Sequence, residues 1–149
     1  MPMSTDIIKL VVGIDSLEDF VAWQKKERHE YDGQDANLIH TRYCPKQADE
    51  ILRSGGSAYR VIKGRTCCRQ KILGFEQIQR TDGSKACVIY TDTQIIETYH
   101  KPQRAFQGWR YLKNENRPKD LGVYDASTRK TVQDMPAELV SELREAGLL

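Results

Sequence analysis

The sequence predicts an α+β fold in which a small curled sheet, mixed or antiparallel, has flanking helices and a C-terminal helix. Strand-like stretches cluster in the middle of the chain, and helix-like stretches lie before and after them. That order favours a curled sheet over the regular strand–helix alternation of a doubly wound α/β fold. With 149 residues, 39% of them hydrophobic and 30% charged, the chain has the size and composition of one soluble domain, residues 1–149.

The N-terminal part is predicted to contain a strand, a helix and a second strand. Residues 7–12 are rich in β-branched side chains, which is typical of a buried strand. Ser16 is a candidate N-cap for a helix that runs to about Glu30. The inner face of this helix is predicted to be Leu17, Phe20, Val21 and Gln24. Residues 32–35 are predicted to form a solvated loop, and residues 37–43 alternate as a strand does.

A short helix and several strands are predicted to follow. Pro45 favours the start of a helix over residues 46–53, and Gly55–Gly56 favours its end. Its inward residues are predicted to be Ala48, Ile51 and Leu52. Predicted strands then cover residues 57–62, 66–75, 76–80, 85–90 and 106–113. An Asp82–Gly83 turn joins the third of these strands to the fourth. Residues 114–149 are predicted to be a polar loop and a C-terminal helix that packs on the domain.

Four cysteines occur, at positions 44, 67, 68 and 87. The N-terminus has no apolar stretch preceded by positive charge, so the sequence shows no secretory signal. No apolar stretch approaches the length that a membrane span needs. We therefore expect a cytoplasmic protein whose cysteines are reduced thiols. Adjacent Cys67 and Cys68 are expected to point to opposite faces of a strand. The spacings contain no zinc motif, so we expect neither a metal nor a cofactor.

Two stretches combine positive charge with aromatic rings and contain no carboxylate. Residues 57–75 hold five lysines and arginines, and residues 101–113 hold four. Because a soluble surface usually mixes both signs of charge, these stretches favour a surface that attracts polyanions and stacks bases. The predicted ligand is RNA, another single-stranded nucleic acid or a nucleotide. An ordinary solvated sheet face is the alternative explanation of the same residues.

The predicted ligand-binding residues fall into two chemical groups. Phosphate groups are predicted to contact Arg42, Lys46, Lys63, Arg65, Arg69, Arg104 and Arg110. A base is predicted to stack on Trp109 or Tyr59. Burial in the core is the commoner role of such a ring, and this role stays open for Trp109.

Two other classes of function stay open. One is a small enzyme that acts on a phosphorylated or nucleotide substrate and uses an acid such as Asp49 as its base. The other is a protein-interaction module in which the acidic C-terminal helix docks on the basic face of a partner. The sequence assigns no catalytic residue, and it leaves the oligomeric state open.

Segments spread over nearly the whole chain carry a family resemblance. They are IIKLVVGIDSLEDFVAWQ, TRYCPKQADEILRSGGSAYRVIKG, CRQKILG, FQGWRYLK and MPAELVSELREAGLL. Together they resemble a bacterial family of stand-alone proteins, the domain of unknown function numbered fourteen-eighty-nine. This resemblance implies a cytoplasmic bacterial protein, and it implies no established activity.

The segment ADEILRSGGSAYRVIKGR also resembles, at the level of fold, the PUA and ASCH group of small pseudo-barrels. In that group a helix ending at glycine is followed by a strand and a basic turn. The resemblance implies that the sheet curls into a pseudo-barrel and that RNA or a modified base binds in a basic cleft near the helix. Because a fold does not determine a function, this ligand is an expectation by analogy.

Overall fold

The computed structural model describes residues 4–125, and within them two α-helices and nine strands form a mixed α+β fold. The helices are α1 (Leu17–Lys26) and α2 (Ala48–Ser54). The strands are β1 (Asp6–Leu10), β2 (His29–Tyr31), β3 (Gln34–Thr41), β4 (Ser57–Ile62), β5 (Arg65–Gln79), β6 (Lys85–Asp92), β7 (Ile96–Pro102), β8 (Trp109–Leu112) and β9 (Asp120–Val123). The predicted α+β class is confirmed, whereas the predicted C-terminal helix lies outside the described residues.

A strand of 15 residues, β5, belongs to both halves of the sheet. Its first part pairs with β4 and β7, which gives a six-strand half in the order β8-β1-β4-β5-β7-β9. Its second part pairs with β6, which gives a four-strand half in the order β5-β6-β3-β2. The register shifts between Ile72 and Gly74, where β5 passes from one half to the other. All pairs are antiparallel except β1–β4, so the sheet is mixed.

The sheet is curled but open. β2 and β8 lie at the two ends of the strand order, and β9 lies on the outer side of β7. Within residues 4–125 none of these edge strands pairs with another, whereas a barrel has to pair its edges. The predicted curled mixed sheet is therefore confirmed, and the resemblance to a PUA-like pseudo-barrel finds no support in the fold.

The main hydrophobic core joins both halves of the sheet to α2. Its buried members are Ile7, Ile39, Ile51, Ala58, Ile72, Cys87 and Ile89. They come from β1, β4 and β5 in the six-strand half, from β3 and β6 in the four-strand half, and from α2. Because all these elements contribute to one close-packed cluster, side-chain packing holds the curl of the sheet.

Helix α1 covers a second core cluster on the six-strand half. Ser16 caps this helix, because its Oγ accepts a hydrogen bond from the Asp19 N–H at 3.1 Å. The predicted inner face is confirmed. Its buried residues are Leu17, Phe20, Val21 and Gln24. The Gln24 side chain also accepts a hydrogen bond from the Gln70 amide of β5 at 2.7 Å, which fixes the helix to the sheet.

Helix α1 ends at Lys26 rather than near Glu30, because a hairpin follows it. Asp32 and Gly33 have φ angles of 52° and 83°, so both adopt the left-handed conformation of a type I′ turn. They join β2 to β3 where the sequence predicted the last helical turn and a solvated loop. The missed signal is Asp-Gly, the dipeptide that correctly predicts the turn at Asp82–Gly83.

Helix α2 begins at Ala48, two residues after the predicted start, and ends as predicted at Gly55, which has a left-handed φ of 72°. Ile51 is buried as predicted. Leu52 is 40% exposed, so the prediction that it faces inward is wrong. A helix this short lies on the core along a narrow stripe, and Leu52 is rotated away from the stripe that Ile51 occupies.

One connection crosses the sheet. β8 lies at one edge, beside β1, and β9 lies at the other edge, beside β7. Residues 113–119, which we term the crossing segment, therefore pass across the strands between these edges. The predicted polar loop is thus wrong for Asp120–Val123, which form β9. Four residues give too short an alternation to be distinguished from a loop by pattern alone.

Two cysteines that were predicted to be reduced form a disulfide. Cys44 and Cys87 are bonded, with their Cα atoms 5.1 Å apart. The pairing of β3 with β6 places Thr41, the last residue of β3, opposite Cys87. Cys44 follows three residues later and lies close enough to Cys87 to bond with it. The prediction of reduced thiols is therefore wrong for this pair, because the sequence alone does not reveal that β3 and β6 are neighbours.

The other two cysteines are free and buried. Cys67 and Cys68 both lie in the core cluster beneath α1, so the prediction that they point to opposite faces is wrong. A β-bulge explains this, because the register of β4 against β5 passes from Cys68 directly to Thr66 and leaves Cys67 out of the alternation. A hydrogen bond with Cys67, followed by burial, raises the pKa of the Cys68 thiol well above its ordinary value.

We expect the disulfide to stabilise the fold measurably. It closes a loop with a sequence separation of 43 residues, and chain-entropy arguments assign such a cross-link about 4 kcal/mol. Reductant should therefore lower the melting temperature of the native protein, and should have little further effect on a Cys44→Ser/Cys87→Ser variant. A thiol assay on the denatured, unreduced protein should count two thiols, from Cys67 and Cys68. A count of four would contradict the disulfide.

Candidate nucleic-acid interface

Several predicted cations gather around the loop between β7 and β8. The Gln103 N–H donates to the carbonyl of Gly64 at 2.9 Å, which places the β4–β5 turn against this loop. Lys63 lies in that turn, and Arg104 lies in the loop next to Gln103. Arg65 begins β5 and pairs with Pro102 at the end of β7. Lys63, Arg65 and Arg104 are therefore placed at one end of the six-strand half.

A groove opens beside the same loop, where the end of β3 meets the start of β8. Its volume is about 550 Å³. It is lined by Thr41, Arg42, Tyr43, Gln107, Gly108 and Trp109. We term this the aromatic groove. Its lining contains one cation and two aromatic rings but no carboxylate, and it unites two predicted site residues, Arg42 and Trp109, that lie far apart in the sequence.

Trp109 forms a wall of the aromatic groove and also part of the core. Its indole Nε1–H donates to the carbonyl of Tyr43 at 2.9 Å, and its ring packs against the main core cluster. The Tyr111 ring meets it edge-on, with centroids 4.9 Å apart. The Tyr111 hydroxyl in turn accepts a hydrogen bond from the Gln47 N–H at 3.1 Å. Trp109 therefore holds the groove together, and its ring is only partly accessible.

Tyr43 lines the groove, although the sequence pattern did not predict it as a site residue. Its side chain is 69% exposed, the most accessible of the aromatic rings near the groove. The pattern of residues 37–43 assigned it only to a strand face. The signal available in the sequence was an aromatic residue that directly follows Arg42.

Other predicted cations lie near the groove but do not line it. Lys46 is exposed and adjacent to Gln47, which Tyr111 contacts. Arg110 points to the opposite face of β8 from Trp109, because side chains alternate along a strand. Its guanidinium lies 4.9 Å from the centroid of the Phe106 ring, which holds it in place by a cation–π contact. Within the described residues, Lys46 and Arg110 form no ion pair.

Two predicted site residues lie elsewhere, on the sheet face opposite α1. Tyr59 is 4% exposed, so its ring is not a surface on which a base can stack. Arg69 donates from Nε and Nη2 to the two carboxylate oxygens of Asp120 at 2.8 and 2.7 Å. The expectation that the charge of Arg69 is uncompensated is therefore wrong, because β9 brings an acid from outside the basic stretch.

Arg60, which contributes to the positive charge of residues 57–75, is a core residue. It is 5% exposed, and its guanidinium lies 5.3 Å from the centroid of the Phe20 ring. Its Nε–H donates to the carbonyl of Lys9 at 3.4 Å. Burial lowers the pKa of Arg60 to about 10. The charge counted along the sequence therefore overstates the charge at the surface.

A second concave site, of about 520 Å³, lies between the crossing segment and the six-strand half. Its walls carry Asp6, Tyr59, Arg69 and Asp120 from the sheet, and Arg117 and Lys119 from the crossing segment. We term it the polar cleft. Asp6, Arg117, Lys119 and Asp120 were not selected from the sequence, because their convergence depends on the path of the crossing segment. Asp49, the acid named for an enzyme, is exposed in the first turn of α2.

Together the fold and these sites define an open-sheet α+β domain with a basic, aromatic groove and a separate polar cleft. The chain belongs to the family described as "Protein of unknown function (DUF1489)", whose model matches residues 7–149. This match confirms the family resemblance of the sequence. None of the curated proteins and none of the solved structures compared with the chain matches it.

Two further observations concern the described part of the chain. Neither of the helices between residues 4 and 125 is long and apolar enough to cross a membrane. In the same residues, no three histidine, cysteine, aspartate or glutamate side chains are grouped as a metal site requires.

The Arg69–Asp120 pair is expected to stabilise the attachment of β9. Asp120→Asn removes the negative charge that accepts two hydrogen bonds from the half-buried Arg69 guanidinium. This substitution should lower the free energy of unfolding by about 1–2 kcal/mol. Glu50→Gln is the matched control, because it weakens the exposed Glu50–Arg53 pair, for which we expect less than about 0.5 kcal/mol. Equal effects in urea denaturation would contradict this difference.

The pH dependence of stability should report the burial of Tyr59. Burial, followed by the Asp6 charge, raises the pKa of Tyr59 to about 12, whereas an unfolded chain titrates near about 10. The folded state holds this proton more tightly, so the stabilisation is complete below the unfolded pKa and is lost as the pH rises toward the folded one. Relative to Tyr59→Phe, the wild type should lose about 1 kcal/mol between about pH 9 and pH 11. Parallel pH profiles would show that Tyr59 titrates normally.

Proposed function

We propose that this protein binds single-stranded nucleic acid, preferentially RNA, in the aromatic groove. The observation that carries the proposal is the convergence of Arg42, Tyr43 and Trp109 in a groove whose lining contains no carboxylate. Cations and accessible aromatic rings are the groups that track a phosphate backbone and stack its bases. Their meeting from two separate parts of the chain supports a binding groove over the alternative of an ordinary solvated sheet face.

The base-stacking role falls to Tyr43. Its ring is the most exposed of the groove aromatics, whereas the Trp109 indole is held by the core and by the Tyr43 carbonyl. A base on Tyr43 would lie beside the Trp109 wall. Thr41 and Gln107 offer a hydroxyl and an amide to the edge of such a base. Gly108 has no side chain, so a base can approach the backbone closely just before β8.

The phosphate-binding role falls to cations along the rim of the groove. Arg42 lines it, Lys46 follows in the same loop, and Arg104 lies in the loop that supplies Gln107 and Gly108. Within residues 4–125 none of these three cations forms an ion pair. Contacts of this kind release counterions from the nucleic acid, so binding should weaken steeply as salt is added.

Substitutions at the groove separate stacking from charge. Binding of fluorescently labelled oligouridine should be measured by anisotropy across a salt series that begins at about 50 mM. Tyr43→Ala should weaken binding by roughly 1–3 kcal/mol with little change in the salt slope. Arg42→Ala should reduce the slope of log affinity against log salt by about 0.7, the value of one contact to a single strand.

The matched control is Lys26→Ala, which removes one exposed cation at the end of α1 that does not line the groove. It should leave affinity and slope unchanged. Melting curves should be recorded for every variant, so that a loss of binding is separated from unfolding. If the wild type binds neither RNA nor DNA at about 50 mM salt, where attraction is strong, the proposal is refuted. If Lys26→Ala weakens binding as much as Arg42→Ala, the attraction is not located in the groove.

A further inference from the structure

The polar cleft exists because of the path of the crossing segment. Arg117, in this segment, donates from Nη1 to Ser4 Oγ at 2.7 Å and to the Asp6 carboxylate at 3.4 Å. Farther along, the carbonyl of Lys119 accepts a hydrogen bond from the Tyr99 N–H at 2.9 Å. The segment is therefore fixed to β1 and to β7, and the cleft of about 520 Å³ beneath it is held open by these contacts.

The charges of the cleft are unequally satisfied. Arg69 uses all three guanidinium nitrogens, two on Asp120 and Nη1 on Ser57 Oγ at 2.8 Å. Arg117 uses Nε and Nη1, and within residues 4–125 its Nη2 has no hydrogen-bond partner. The Lys119 ammonium likewise has no partner among the described residues. Three cations face two carboxylates, so the cleft keeps an excess of one positive charge.

Two uncharged polar groups of the cleft also lack protein partners. The Tyr59 hydroxyl has no hydrogen-bond partner in the described chain, and Tyr59 lines the cleft. Burial raises the pKa of Tyr59 to about 12, so this hydroxyl stays protonated and is a donor at neutral pH. The side-chain oxygen of Asn114 is buried and has no partner among the described residues. The Asn114 oxygen is enclosed by protein, whereas the Tyr59 hydroxyl is available as a donor to a molecule bound in the cleft.

We propose that the polar cleft binds a small phosphomonoester that carries hydroxyl groups. Lys119, the free Nη2 of Arg117 and the Tyr59 hydroxyl are donors for the phosphoryl oxygens. The partly exposed Asp120 carboxylate keeps lone pairs beyond those that Arg69 uses, and it accepts a hydrogen bond from a ligand hydroxyl. The volume lies in the range of small-molecule sites, and the crossing segment closes one side of the cleft, so a discrete ligand fits better than a polymer.

The experiment is isothermal titration calorimetry with three phosphomonoesters: glycerol phosphate, ribose phosphate and adenosine monophosphate. Inorganic phosphate and free ribose serve as the two half-ligands. We expect at least one phosphomonoester to bind at one site per chain, more tightly than either half-ligand. Binding of none of the three overturns the proposal. If inorganic phosphate binds as tightly as every ester, the role assigned to Asp120 is wrong.

Variants test which side chains make the contacts. Lys119→Ala should weaken the ester roughly tenfold, the effect of one charged hydrogen bond, and Lys119→Arg should restore most of the affinity. Tyr59→Phe should weaken it severalfold while it keeps the buried ring. Lys26→Ala is the charge-matched control and should change nothing. An unaltered affinity in both Lys119→Ala and Tyr59→Phe, with native melting curves, overturns the assignment of this cleft.

This inference is independent of the proposed nucleic-acid binding. Tyr43→Ala should abolish the stacking contribution to RNA binding and should leave the ester affinity unchanged. Lys119→Ala should show the reverse pattern. If Tyr43→Ala weakens the ester as strongly as Lys119→Ala does, the ester binds in the aromatic groove and the assignment to the polar cleft is wrong.

Discussion

The arrangement of the polar cleft depends on one buried carboxylate, that of Asp6 at the start of β1. It is 2% exposed, and it accepts hydrogen bonds from the Ser57 N–H and from Ser4 Oγ, each at 2.8 Å. Arg117 supplies the opposite charge at 3.4 Å. A charge removed from water is stable only when it is paired and hydrogen-bonded in this way. Since Ser57 begins β4, one of these bonds sets the parallel register of β1 and β4, and the ion pair places the crossing segment.

That register decides which side of the sheet each functional residue faces. Arg110, Ile8, Tyr59 and Arg69 are successive partners across β8, β1, β4 and β5, so their side chains share one face. Trp109 precedes Arg110 in β8 and therefore points to the other face. Within one basic stretch of sequence, neighbouring residues thus face opposite sides of the sheet. Arg110 and Arg69 are also separated by two intervening strands, or roughly 14 Å from β8 to β5.

Features that depend on nearby residues could be predicted from the sequence. The cap at Ser16, the inner face of α1, the left-handed stop at Gly55 and the turn at Asp82–Gly83 all depend on short-range chemistry and are confirmed. The α+β class and the family resemblance are confirmed as well. The same local chemistry would have predicted the hairpin turn at Asp32–Gly33, where the sequence was interpreted only as a solvated loop.

Features that depend on distant pairing could not be predicted. The Cys44–Cys87 bond requires β3 beside β6, and the Arg69–Asp120 pair requires β9 beside β7. The bulge at Cys67 changes the side-chain alternation, and no sequence period reveals it. For the candidate site, the residue types were found in the sequence. Their division between the aromatic groove and the polar cleft comes from the sheet order.

The length of β5 has a consequence for how the molecule folds and opens. One strand supplies hydrogen bonds to β4, β6 and β7, so neither half of the sheet is complete without it. The two halves should therefore unfold in a single cooperative transition, and amide protons of β5 should exchange only through global opening. Most of the pairings join distant parts of the chain, which slows the search for the native topology. Refolding on the millisecond-to-second scale typical of such non-local sheets follows from this arrangement.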